Sequence, residues 1–112
     1  MTSLQSKIEG IGAMLAEINE HSYHYWRSTP KGVTSYIIWA EDAEFNSFFA
    51  DNHKQSQALE GTIDLFTKTE YDPQADLIQE GLEGLGVAWS INSVQYEEET
   101  EFIHHEWTWR VR

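Results

Sequence analysis

The 112 residues include no cysteine, which excludes disulfides and thiolate metal sites. Basic residues are scarce. Seven Lys and Arg stand against nineteen Asp and Glu, a formal net charge of −12. Nucleic-acid binding draws on Lys and Arg to displace phosphate counterions, so this balance argues against free DNA or RNA as a ligand. It argues equally against an anionic membrane surface. No apolar run approaches the roughly twenty residues of a transmembrane helix, and the N-terminus lacks a basic segment followed by an apolar one. The expectation is a soluble chain that stays in the compartment where it is made.

Aromatic residues, by contrast, are plentiful: five each of Trp, Tyr and Phe. A chain of this length is expected to be one domain, residues 1–112, able to bury about two-thirds of its unfolded surface without staples. The rings exceed what an ordinary core of that size uses, so some are expected to serve an interface.

The last quarter of the chain carries the clearest pattern. From Phe102 to Val111 apolar and polar residues alternate. Ile103, His105, Trp107, Trp109 and Val111 fall on one side, and Phe102, His104, Glu106, Thr108 and Arg110 on the other. Val87 to Tyr96 alternates likewise, but its apolar parity changes after Ser93, which predicts a bulge near Asn92-Ser93. Between the two strands Glu97, Glu98, Glu99 and Glu101 form an acidic turn.

Leu4, Ile8, Ile11, Leu15 and Ile18 form one helical stripe, with Ser3 or Thr2 as cap. Gly10 and Gly12 within it predict close approach to another backbone, the sheet. His21 to Trp26 reads either as a connection whose rings cover a core edge or as a metal or stacking cluster. Val33 to Glu41 is a strand, apolar on both faces at Tyr36-Ile37-Ile38-Trp39. Asp42 to Gln57 reads as a long irregular loop bearing Phe45, Phe48 and Phe49, which either fold back on the body or contact another chain. Ala58 to Lys68 is a second strand. Asp72-Pro73 opens a second helix over Gln74 to Leu85, with Leu77, Ile78, Leu82 and Leu85 inward and Gly86 as its left-handed stop. Gly81 and Gly84 are expected to let that helix lie close to the sheet. The order is α-β-β-α-β-β, an α+β fold: a mostly antiparallel four-stranded sheet with two helices packed on one face.

Candidate chemistry is thin. Neighbouring His104 and His105 point to opposite faces of a strand and cannot share a metal. The glutamate turn lacks the spacing and glycine of a calcium loop, and no phosphate-cradling loop or nucleophile elbow is present. No catalytic residue, metal or cofactor is expected.

Gly61 to Lys68 (GTIDLFTK), a proline-started helix, Tyr96 to Thr100 (YEEET) and Ile103 to Trp107 (IHHEW) resemble the tail-terminator and head–tail joining proteins of long-tailed phages and prophages of Gram-positive bacteria. Asp51-Asn52-His53-Lys54 also resembles a segment those proteins often carry. The resemblance runs from about Val33 to Val111. It implies a structural virion component at the neck, assembled in the host cytoplasm. Copies close into a ring, commonly a hexamer, that caps the tail tube and meets the head connector.

An acidic lumen would let DNA pass without sticking. Interface candidates on this reading are Phe45, Phe48, Phe49, Trp39, Trp107 and Trp109, with the turn at Glu97, Glu98, Glu99 and Glu101 facing the lumen or a partner. Two rivals remain: an acidic DNA-mimicking inhibitor, and a small metal-dependent enzyme using His104, Glu106 and His24.

Overall fold

In the computed structural model, residues 3–25, 28–44, 48–50, 53–56 and 58–112 are described, with 48–50 and 53–56 as backbone only. The alternating C-terminal run is strand β7 (Phe102–Val111), and the run before it is β6 (Ala88–Glu97). The two pair antiparallel, with Trp89 opposite Trp109 and Tyr96 opposite Ile103, and the register slips between Ile91 and Ser93. Asn92 is therefore the extra residue of a bulge, at the site where the apolar parity changes.

Helix α1 (Leu4–Ile18) starts at Ser3, whose side chain accepts the Ser6 amide. Strand β1 (Ser22–His24) follows, then β2 (Ser35–Glu44), β3 (Phe48–Ala50), β4 (His53–Ser56), β5 (Leu59–Thr67) and helix α2 (Pro73–Gly84). The main sheet has the order β1-β2-β5-β7-β6, antiparallel except that β1 lies parallel to β2. The fold is α+β, and its main sheet holds one strand more than the expected four. The additional strand is three residues long, too short for any period to show. The expected irregular loop over Asp42 to Gln57 is also corrected. β2 runs on to Glu44, and β3 pairs antiparallel with β4.

Both helices cover one face. Ile11 and Leu15 of α1 and Ile78 and Leu82 of α2 pack with Ile37, Trp39, Ile63, Leu65, Trp107 and Trp109 of the sheet in one buried cluster. Complete burial of a large apolar side chain stabilises by roughly 1.5–3 kcal/mol, so these rings and aliphatics dominate the folding energy. The indole of Trp107 donates to Gln79 Oε1 at 3.0 Å, fastening α2 to the sheet. Trp109 donates to the Thr62 carbonyl at 3.2 Å.

Helix α2 ends in a Schellman arrangement. Gly86, at φ +71°, donates to Glu83 O, and Val87 donates to Leu82 O. Two helical expectations need correction. Leu77 and Leu85 are half exposed rather than inward. The helix glycines serve side chains: Gly12 makes room for the Trp39 ring and Gly81 for Met14 of α1, whereas Gly10 makes only ordinary contact and Gly84 faces open space.

A polar network holds the helix ends to the strands. Asn19 donates to Ser35 Oγ and Gln74 Oε1, Gln74 donates to Asp72, and Thr67 donates to Asp72 Oδ2 at 2.6 Å. Among the described residues no buried side-chain polar atom lacks a partner. No helix among the described residues is long and apolar enough to cross a membrane.

Candidate functional site

Helix α2 and the hairpin it covers differ in length. Ten-residue strands run about 33 Å, whereas a twelve-residue helix spans about 18 Å. The helix covers the end of the β6–β7 hairpin that holds Trp107 and Trp109. The end near the turn stays bare, and the bulge keeps Val94 and Tyr96 on the helix side of the sheet, opposite His105 and Ile103. A groove of about 620 Å³ results, lined by Lys68, Glu70, Tyr71, Val94, Tyr96, Ile103 and His105. Val94 and Tyr96 are more than half exposed, and Ile91 nearly so.

Tyr71 stands at the rim. Its side chain is 91% exposed, and its backbone lies at φ +55° in the left-handed region. That conformation costs a non-glycine residue about 1–2 kcal/mol. An aromatic held at that cost and packed against little within its own chain directs attention to function. Beside it, β6 is the outer strand of the sheet, and among the described residues nothing pairs with its outer edge. Burial pushes the His105 imidazole below its ordinary value and His104 adds to this, against an opposing pull from Asp72, so the groove floor carries a neutral ring.

Among the described residues no helix covers the opposite face of the sheet. Tyr36 stacks on Phe66 at 4.6 Å and Phe66 on His104 at 4.3 Å, with Phe102 edge-on to Tyr36 and the Lys68 ammonium 5.0 Å from the Phe102 ring centre. His104 Nε2 lies 2.7 Å from Asp64 Oδ1. This hydrogen bond outweighs partial burial and holds the imidazole above its ordinary pKa. Glu106 lies on the same face, directly across the ladder from Asp64.

The expected site residues separate. Trp107 and Trp109 are fully buried and Trp39 nearly so, all beneath the chain's own helices. The expectation that they serve as contacts is corrected: the alternation that marked them as a face marked the face the helices cover. Phe45 lies outside the described residues, as do the side chains of Phe48 and Phe49, whose backbone forms β3. Glu98, Glu99 and Glu101 are exposed on the turn, Glu97 is half-buried, and Glu101 closes the turn at φ +64° by donating to Glu97 O.

The trio His104, Glu106 and His24 is not assembled. His24 sits at the β1 edge on the helix side, stacked on Trp39 at 4.0 Å and bonded to Glu41 at 2.9 Å. Asp64 takes its place beside the other two. Tyr71, Val94 and Ile103 were not singled out by sequence as contact residues. The signal was available in the lengths of the helix and hairpin and in the parity change after the bulge. No protein-family model matches the chain, and no curated protein matches it.

Proposed function

We propose that this chain is a self-assembling structural subunit of the tail-terminator kind, docking copy to copy into a ring that caps a phage tail tube and meets the head connector. One observation carries the reading: the apolar groove of Tyr71, Val94, Tyr96 and Ile103 lying alongside the bare outer edge of β6. Exposed rings and aliphatics beside an open strand edge are costly to leave in water and prone to adventitious pairing, so a partner surface resolves both. A ring requires two unlike patches that meet head to tail, and the groove supplies one of them. The net charge of −12 per copy suits walls around a passage for DNA, since acidic walls repel the polyanion. The resemblance of Gly61 to Lys68 and of Tyr96 to Thr100 to strings of head–tail joining proteins favours the same reading.

The test is sedimentation velocity and electron microscopy of the concentrated chain, alone and with purified tail tubes. Closed rings are expected, free or seated on tube ends. Val94→Ser with Tyr96→Ser should remain folded, because both side chains are already more than half exposed, yet lose the ring. A native chain that stays monomeric at every concentration and leaves tube ends uncapped would overturn the reading.

A further inference from the structure

Three donors of two chemical kinds meet on the helix-free face of the sheet. Asp64 comes from the middle of β5, and His104 and Glu106 from β7 two residues apart, so all three project from neighbouring strands toward the same side. One ligating atom of each lies within 4.8 Å of the other two. Phe66, directly opposite His104 in the ladder, stacks on the imidazole and fixes its plane.

An ion pair alone does not settle this arrangement. His104 bonds Asp64, while the register sets the Glu106 carboxylate directly across from that of Asp64. Like charges directly opposite one another are destabilising. The surroundings add more of the same sign: the Asp42 carboxyl is held above its ordinary value by burial and then by the charges of Asp64, Glu60 and Glu41. Of the nearby cations, Arg110 donates to Glu60 and Lys68 lies over Phe102.

We propose that Asp64, His104 and Glu106 bind a divalent first-row transition ion, through His104 Nε2 and one oxygen of each carboxylate. A mixed set of one imidazole and two carboxylates suits zinc or manganese, whereas calcium takes oxygen ligands only. Donors held about 2.0–2.2 Å from zinc lie about 3–3.5 Å from each other. The 2.7 Å between His104 and Asp64 need open only slightly, and Glu106 closes the set through its flexible side chain. The ion takes the place of the proton shared by His104 and Asp64, which passes to solvent. The side chains of His104 and Asp64 are 22% and 18% exposed, so the ion enters from the open side and keeps its remaining positions for water.

The chain, stripped with a chelator and then freed of it, is titrated calorimetrically with ZnCl2 and with MnCl2. One ion per chain is expected at the strongest site. His104→Gln and Glu106→Gln should each weaken that site by at least about tenfold, since losing even a residue that only supports a ligand costs about 10–100-fold. His24→Gln, which removes a paired histidine on the other side of the sheet, should leave it unchanged. Glu106→Gln is the safer variant for folding, since its nearest described partner is Asn92 at 3.5 Å, and circular dichroism checks both.

In the NMR spectrum Mn2+ should broaden residues 64, 104 and 106 before any others. The proposal falls if no ion binds. It falls equally if both Gln variants bind zinc as the unaltered chain does, or if manganese broadens the glutamate turn at 97–101 first.

Discussion

Gly61 shows how narrowly the core is specified at the scale of one residue. It sits inside β5 opposite Trp109, and a Cβ placed there would stand 2.1 Å from the Ala40 carbonyl oxygen and 2.3 Å from the Trp109 ring. Neither neighbour can yield: the first is backbone of the adjacent strand, and the second is a fully buried indole tied to Thr62. Gly61→Ala should therefore destabilise by about 1–3 kcal/mol or more, the range for overpacking a filled core, measured as a lower urea midpoint at unchanged slope.

Asp72 makes a pH-dependent contribution. Burial disfavours its charge, but the hydrogen bonds from the Thr67 hydroxyl and the Gln74 amides outweigh it, and the folded-state pKa lies below the ordinary value. A carboxyl depressed in the folded state stabilises above its unfolded pKa, and that stabilisation disappears as pH falls through the folded value. Asp72→Asn keeps the helix cap while losing the charge. Its stability deficit against the native chain should be largest near neutrality and shrink as pH falls through and below the ordinary Asp value of about 3.9. A deficit that grows on acidification would contradict this account.

At the scale of elements, the long strands and both helices were legible because their periods are sustained. Ten alternating residues in β7 leave no other reading, and Asp72-Pro73 with Gly86 brackets α2 by cap chemistry alone. Ser22 to His24 offers three residues, fewer than two periods of alternation, and becomes a strand only because β2 lies beside it. β3 holds Phe, Phe and Ala and β4 His, Lys, Gln and Ser, three and four residues with no sustained alternation to mark either as a strand. The same alternation that located Trp107 and Trp109 could not say which side the helices take. An aromatic stripe reads alike as core or contact until something covers it.

The bare half of the hairpin follows from element lengths, and Tyr71 tests what it is for. Tyr71→Gly relieves the left-handed backbone and removes a side chain that is 91% exposed. The isolated subunit should gain up to about 1 kcal/mol, since the strain relieved is partly offset by the added freedom of glycine in the unfolded chain. Assembly should weaken at the same time. Opposite signs for folding and association are what a contact residue gives. A variant less stable and equally able to assemble would return Tyr71 to the fold.

For the whole molecule, charge and groove make opposing demands on association. Copies at −12 repel one another, and the groove offers apolar area that depends little on salt. If apolar burial drives docking, added salt removes the opposing term. The Debye length falls from about 30 Å at 0.01 M to about 10 Å at 0.1 M and about 3 Å at 1 M. The mass-average of the concentrated chain by sedimentation should then rise from low to moderate NaCl and hold at high NaCl. Assembly driven instead by pairing the glutamate turn with a basic patch would dissociate over the same series, because screening weakens attraction between opposite charges as it does repulsion between like ones. The direction of the salt response thus separates a groove contact from a charge contact, and Val94→Ser should flatten the rise where Glu98→Gln should advance it to lower salt.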